Sequence, residues 1–226
     1  MQNKNLPQEI IDEYAQRLHE VCNVKERVKL PLTNSRAFPQ NGICITFEKS
    51  QKIQFNNSEF DRIVHIGYNK NNGNFPKRIK QFFVTSKSDA TLKRHIGCAL
   101  IEKANESEEF LNLWWNRFKK INSLSFEKQK EFKAKRKIYE NFVYEHIQEN
   151  MSFVIIPFDD HRLRMKNKIL YTLSQFYHGK DFSSWLGNYS PNENIKNYGL
   201  WAEDYLKSKQ FLTEDDFVLL ENLLAK

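Results

Sequence analysis

Three segments decide the fold: GICITFE at residues 42–48, RIVHIG at residues 62–67 and FPKRIKQFF at residues 75–83. The first two are rich in β-branched and aromatic residues, which is typical of strands. The third has a proline at its second residue and apolar residues at helical spacing, which predicts a helix. The polar stretch YNKNNGN between them is typical of a turn or loop. The order therefore predicts a hairpin with a long tip, followed by a loop and a helix.

Alternation along the two predicted strands assigns their side chains to opposite faces. In the first strand it puts Ile43 and Phe47 on one face and Cys44 on the other. In the second strand it puts Ile63 and His65 together on one face.

The rest of the chain adds helices and one further strand. MSFVIIPF at residues 151–158 is almost continuously apolar, which predicts a central strand. Asp159 or Asp160 is the expected cap of the helix that follows, and Thr213 that of the last helix. Apolar residues at helical spacing predict helices in the segments at 7–22, 90–104, 108–121, 126–150, 162–175 and 214–226. The order indicates an α+β fold with a small, mostly antiparallel sheet flanked by helices.

No linker or repeat divides the chain, so residues 1–226 are expected to form one domain. Its core would lie at about 38–104 and 151–176, with a helical insertion at about 107–149. The tail at 181–226 would pack on the core, with Trp185 and Trp201 as anchors rather than base-stacking residues.

Composition excludes several classes of protein. The 226 residues carry a net charge of +7, with a pI of about 9.2 and a mean hydropathy of −0.70. No apolar run could span a membrane and the first residues do not resemble a secretory signal. Three cysteines without a CxxC pair favour a reducing cytoplasm over a disulfide framework. The basic balance favours a polyanionic partner, nucleic acid first, although many basic proteins bind none.

The ordered set of motifs resembles the GIY-YIG nuclease superfamily, and more closely its bacterial members of similar length. The resemblance rests on the Gly-Ile strand start, the Ile-Gly strand end, Arg78 and the tail SSWLGNYSPNENIKNYGLW at 183–201. It spans about residues 38–205 and implies a three-stranded sheet with the site on one face. In the family, strand tyrosines help to activate a water, a helix arginine stabilises the phosphate and a glutamate holds one divalent metal.

The resemblance assigns roles to individual positions of this chain. Arg78 matches the helix arginine. Cys44 and His65 stand at the two tyrosine positions, and Tyr68 could supply a phenol from a shifted position. His65 could act as a general base or be a half-buried structural histidine, and Cys44 could be a small core residue. A divalent metal such as Mg²⁺ is implied, but its glutamate position is Lys166, and no metal ligand is assigned.

A second set of cations is a candidate for contacts with nucleic-acid phosphates. The ordinary interpretation of such a lysine-rich segment is a solvated helix face. Lys119 and Lys120 lie alongside it in the chain. The candidates are Lys70, Lys166, Lys130, Lys133, Arg136 and Lys137.

Three functions remain open at this point. The first is an endonuclease of the restriction or defence type that hydrolyses DNA phosphodiesters. The second is a catalytically disabled protein of the same fold that binds nucleic acid, and the third is a protein-interaction subunit. DNA is the expected ligand and RNA the alternative. A homodimer would suit the first function, because cutting both strands with single-metal sites usually needs two copies.

Overall fold

The computed structural model describes residues 6–23, 25–32, 38–56, 58–85, 90–116, 121–203 and 209–225. Within these residues the helices are α1 (Gln8–Asn23), α2 (Phe75–Phe83), α3 (Thr91–Lys103), α4 (Glu108–Asn116), α5 (Phe126–Asn150), α6 (Arg162–Tyr177), α7 (Glu193–Tyr198) and α8 (Glu214–Leu224). Two short 3₁₀ helices span Ile121–Ser123 and Leu186–Tyr189. The strands are β1 (Val28–Lys29), β2 (Gly42–Phe55), β3 (Ser58–Tyr68) and β4 (Met151–Pro157). None of these helices is long and apolar enough to cross a membrane.

The strands form one antiparallel sheet in the order β1-β4-β2-β3, which confirms the predicted α+β class. Cys44 in β2 lies between Gly67 of β3 and Ile155 of β4. The sheet has four strands rather than three, because the two-residue β1 pairs with the free edge of β4. β2 and β3 also run beyond their predicted ends, so the polar tip of the hairpin is paired rather than looped.

Helices cover both faces of the sheet and enclose two hydrophobic cores. The first core lies between the sheet and α1, α6 and α8, and it takes Ile43, Ile45 and Phe47 from β2. The second lies on the opposite face against α2, α3, α4 and α5, and it takes Cys44. The alternation predicted for β2 is therefore confirmed.

The alternation predicted for β3 is wrong at one point. Thr46 pairs with His65 but Phe47 pairs with Ile63, so Val64 is an extra residue in the ladder. Such a bulge turns the following side chains over relative to strict alternation. Ile63 consequently joins the first core with Ile66, while His65 lies beside Thr46 on the face of the second core.

One of the two predicted helix caps is confirmed and the other is wrong. Thr213 caps α8, accepting a hydrogen bond from the Asp216 backbone N–H in a reciprocal capping box. α6 does not begin at an aspartate: its N-cap is His161, in the left-handed region at φ 59°. Asp159 and Asp160 precede this cap in a loop where Arg162 donates hydrogen bonds to the carbonyl oxygens of Phe158 and Asp159.

Trp185 and Trp201 anchor the tail, as predicted, through a buried carboxylate on β2. Their indole Nε1 groups lie 2.9 Å and 3.3 Å from Oε2 of Glu48. His146 Nε2 lies 3.1 Å from the other carboxylate oxygen. Burial by itself raises the pKa of Glu48, but His146, Arg62 and the indole donor together hold that pKa below its usual value. The carboxylate is therefore ionised inside the protein.

Arg62 is the buried cation opposite Glu48 on β3. It donates to the carbonyl oxygen of Gly199, and its guanidinium lies over the Phe182 ring at 4.0 Å. Burial lowers its pKa to about 10, so it keeps its charge at neutral pH. Gly199 has a φ of 64°, and a Cβ there would lie 2.8 Å from the Arg62 guanidinium. The final glycine of the tail motif therefore makes room for this cation.

His19 on α1 predicts a dependence of stability on pH. It is fully buried, its Nδ1 lies 2.7 Å from the Ala15 carbonyl oxygen, and its Nε2 lies 3.2 Å from the Tyr177 hydroxyl. Burial lowers its pKa from 6.5 to about 4. The folded state therefore excludes a proton that the unfolded chain binds, and stability present above pH 6.5 is lost as the pH falls towards 4. We expect this loss to reach about 3 kcal/mol in urea unfolding measurements.

The His19→Gln variant is the control for this prediction. It lowers stability at neutral pH but cannot titrate in this range. The difference in unfolding free energy between wild type and variant should therefore shrink steadily below pH 6.5. A difference that stays constant down to pH 4.5 would contradict the assignment to His19.

Candidate functional site

A solvent-filled cleft of ≈ 390 Å³ lies where β3 ends and α2 begins. Its walls come from the last residue of β3, the following loop and one face of α2. The residues that α2 and its cap contribute are spaced at i, i+3, i+4 and i+7, which places them on a single helix face. The lining residues are Tyr68, Asn69, Lys70, Asn71, Asn74, Lys77, Arg78 and Gln81.

Hydrogen bonds fix the loop of the cleft in place. Asn69 is buried, and its Oδ1 accepts a hydrogen bond from the backbone N–H of Gly42 at 3.0 Å. Its Nδ2 donates to Oδ1 of Asn41 at 2.9 Å. Arg162 on α6 donates from Nε to the carbonyl oxygen of Asn69 at 3.2 Å and from Nη2 to Oδ1 of Asn72 at 2.5 Å. The start of β2, the loop and α6 are thus joined behind the cleft.

Arg78 lies on the cleft face of α2, as its position in the sequence predicted. Its guanidinium lies over the Phe82 ring at 4.5 Å, and Nη1 donates to Oε1 of Gln81 at 3.1 Å. Partial burial lowers the pKa of Arg78, and the nearby Tyr68 hydroxyl opposes this shift. Phe82 in turn presses against β3, where a Cβ on Gly67 would lie 2.6 Å from its ring. The glycine at the strand end therefore sets how closely α2, and with it Arg78, approaches the sheet.

Lys166 on α6 lies beside the same cleft. Its Nζ is 5.1 Å from the centre of the half-buried Tyr68 ring. Tyr68 is thus flanked by two cations, Arg78 from α2 and Lys166 from α6. Lys70 and Lys77 are exposed on the cleft walls. The sequence-based candidates Tyr68, Lys70, Arg78 and Lys166 therefore meet in one place, together with Lys77, which sequence reasoning missed.

His65 lies under the cleft, in the second core. It is 7% exposed, its ring packs edge-on against Phe82 at 5.3 Å, and Nδ1 has no hydrogen-bond partner among the described residues. Burial lowers the pKa of His65 well below its ordinary value, and the charges of Lys166 and Arg78 lower it further. The imidazole is therefore neutral at physiological pH.

Cys44 does not reach the cleft. It is fully buried in the second core, and its Sγ lies 4.0 Å from Oγ1 of Thr46. Burial raises the pKa of the thiol, so it stays protonated and unreactive. Of the two interpretations that the sequence left open, the structure agrees with the small core residue and not with a catalytic acid or nucleophile.

The residues of the cleft do not fit a divalent metal. Mg²⁺ takes oxygen ligands, usually with one or more carboxylates, yet no aspartate or glutamate is among the described residues that line this cleft. Within the described ranges, no cluster of three or more His, Cys, Asp and Glu residues could hold a metal ion. Asp159 and Asp160, the carboxylates nearest to Lys166 in the chain, line a different groove, between α6 and α8. The position of the family's metal ligand carries a cation instead.

The lysine-rich segment of α5 is separate from the cleft. Lys130, Lys133 and Lys137 are exposed on the N-terminal half of this helix, and Arg136 is paired with Glu140 at 2.9 Å. The helix meets α2 near its other end, where the Gln148 side chain donates to the carbonyl oxygen of Phe83. At about 1.5 Å per residue, Lys137 is about 17 Å and Lys130 about 27 Å along the helix from that contact.

Lys119 and Lys120, which lie alongside this basic segment in the chain, are outside the described residues. The α5 cations therefore form a second basic surface rather than a wall of the cleft.

Comparison with known proteins gives one match. A family model described as a GIY-YIG domain matches residues 7–223, nearly the whole chain. No curated protein and no solved structure is significantly similar to the chain.

Proposed function

Because the chain belongs to the GIY-YIG domain family, whose members are nuclease-like, we propose that its cleft binds the phosphodiester backbone of DNA. The single observation that carries this proposal is the convergence of cations on the cleft. Lys70, Lys77 and Arg78 line it and Lys166 lies beside it, and the part of the chain that the structure describes places no carboxylate on its walls.

Such a cleft suits a phosphate physically. An arginine side chain presents a planar fork of N–H donors that matches two phosphate oxygens. The stacking of Arg78 on Phe82 and its hydrogen bond to Gln81 hold that fork in one orientation, which reduces the entropy lost on binding. Lysines on the rim add point charges, and each phosphate that they neutralise releases counterions. The interface would position the backbone without reading base sequence.

Endonuclease activity of the restriction or defence type is the second candidate. The observation that favours it is the neutral imidazole of His65, whose Nδ1 has no hydrogen-bond partner in the described structure. This imidazole is close enough to Arg78 for the arginine's charge to lower its pKa. Hydrolysis through a divalent metal, in contrast, does not fit a cleft without carboxylates. We therefore place binding first and treat cleavage as an outcome to be measured. A cytoplasmic location is part of the proposal, and the three cysteines are reduced and buried, as that compartment favours.

Salt dependence tests the proposed binding. We expect the affinity for a fluorescently labelled DNA duplex, followed by anisotropy, to fall linearly with salt on a double-logarithmic plot. If the four cations of the cleft each neutralise one phosphate, the slope is about −3 to −4. A supercoiled plasmid incubated with the same protein and Mg²⁺ should shift on a gel without being nicked.

Other outcomes separate the remaining hypotheses. An affinity that does not change with salt would contradict backbone binding. Nicking would favour the endonuclease, and tighter binding of an RNA duplex than of DNA would exclude DNA as the preferred ligand. Sedimentation of the same samples reports whether the DNA-bound protein is a homodimer.

A further inference from the structure

Two of the four cations at the start of α6 are held by internal contacts, and a third lines a different groove. Arg162 is buried and is held by backbone carbonyls, among them that of Asn69. Lys168 is buried and forms an ion pair with Asp216 at 2.5 Å. Arg164 is exposed and lines the groove between α6 and α8. These three cations of α6 therefore lie in different surroundings.

Lys166 is the cation of this helix that lies on the side of the cleft. It follows Arg162 by one turn, and Arg162 already reaches the cleft loop, so the two share a helix face. The Nζ of Lys166 lies over the ring of Tyr68, whose other neighbour is Arg78. The charges of Lys166 and Arg78 also act together on His65 beneath them.

We propose that Lys166 is a built-in cation of this cleft, so that a DNA phosphate binds there without any divalent metal. The inference rests on the proposed DNA binding and specifies its chemistry. It is carried by the position of the Lys166 ammonium over the Tyr68 ring, which Arg78 also adjoins, and by described cleft walls that hold cations and amides but no carboxylate. The cleft then binds an anionic phosphodiester directly, as a metal-free site.

The electrostatics of the cleft favour this arrangement over a metal ion. A divalent cation would meet the charges of Lys166 and Arg78, and no carboxylate among the described lining residues would offset the repulsion. A phosphate oxygen meets the same two cations attractively, and a lysine ammonium is a compact charge with three donors. His65 adds no charge, since burial keeps its imidazole neutral. The charged side chains that the described residues of β3, its following loop, α2 and α6 bring to the cleft thus attract an anion.

Binding measured with and without metal tests this inference. The probe is the same labelled DNA duplex, in EDTA and in Mg²⁺ at equal ionic strength. Wild-type affinity should be the same in both buffers. The Lys166→Gln variant should lose about tenfold in affinity, and its salt slope should fall by about one. Lys166→Glu should bind poorly in EDTA and regain at least about tenfold in Mg²⁺, because one carboxylate and a phosphate suffice to hold that ion.

Arg164→Gln is the matched control, since it removes one charge from the same helix on the side away from the cleft. Its affinity should stay within about twofold of wild type, apart from the general effect of net charge. Equal losses for Lys166→Gln and Arg164→Gln would overturn the inference. Wild-type binding that requires Mg²⁺ would also overturn it while leaving the proposed DNA binding intact. A protein that binds no DNA in either buffer would overturn both.

Discussion

Replacing Arg78 with glutamine lowers the affinity for duplex DNA by at least about tenfold. A charge-assisted hydrogen bond contributes about 1.5–3 kcal/mol, and about 1.4 kcal/mol corresponds to tenfold in affinity. The effect is large because the guanidinium is already oriented by Phe82 and Gln81, so little entropy offsets its contacts. The measurement is an anisotropy titration of the labelled duplex with wild type and variant at one salt concentration.

Two further variants separate the geometry of Arg78 from its charge. Arg78→Lys keeps the charge but loses the planar fork, and we expect it to recover only part of the affinity. Lys80→Gln removes one charge from an exposed position on the same helix that does not line the cleft. It should bind DNA almost as well as wild type. If Lys80→Gln weakened binding as much as Arg78→Gln does, the cleft would not be the binding site.

Replacing Glu48 with glutamine destabilises the fold by about 3–5 kcal/mol, the usual cost of removing one partner of a buried ion pair. Glu48 is 1% exposed, and its carboxylate accepts hydrogen bonds from the indole N–H groups of Trp185 and Trp201. The same carboxylate is paired with His146. Its loss also leaves the fully buried Arg62 without its opposing charge. Urea unfolding of wild type and variant measures the change, with the midpoint and slope fitted separately.

A double-mutant cycle measures how much of this cost comes from the electrostatic interaction between Glu48 and Arg62. Arg62→Met alone leaves Glu48 without that cation, whereas the double variant leaves neither charge unpaired. The double variant should therefore be less destabilised than the sum of the two single variants, by at least about 1 kcal/mol. Additive effects would show that the two charges act independently. A loss below about 1 kcal/mol for Glu48→Gln would contradict the account of how the tail is anchored.

Local patterns in the sequence predicted much of the fold, because short-range physics determines them. The apolar alternation of β2, the proline at the start of α2 and the threonine cap of α8 each depend on a few neighbouring residues. The bulge at Val64 depends instead on how β2 and β3 pair, and one strand alone does not show it. It moved His65 to the other face of the sheet. The edge strand β1 was not predicted either, because its two residues are too few to show a periodic pattern.

The candidate site was predicted in part. Arg78, Tyr68 and Lys166 were identified through the family resemblance and Lys70 as a candidate phosphate contact, and the structure brings them together. Lys77 could have been found from its spacing, because it lies three residues after Asn74 on the face that carries Arg78. The separation of the cleft from the α5 lysines could not, since it depends on where a 25-residue helix meets the core.

Glu48 was missed although a signal for it existed. It continues the alternation of Cys44 on the side of β2 that faces the second core, where an isolated carboxylate would be costly to bury. Only the fold brings the tail indoles and Arg62 to it. Buried charged networks of this kind depend on contacts between residues that are distant in the sequence, up to 153 positions here.

The most direct test of the central claim uses one supercoiled plasmid with wild type and Arg78→Gln, in EDTA and in Mg²⁺, on a single gel. We predict that wild type retards the plasmid equally in both buffers, that salt reverses the shift, and that the plasmid stays supercoiled. Arg78→Gln should need at least about tenfold more protein for the same shift. Nicking by wild type that requires Mg²⁺ and disappears in Arg78→Gln would contradict the claim and identify a metal-dependent nuclease.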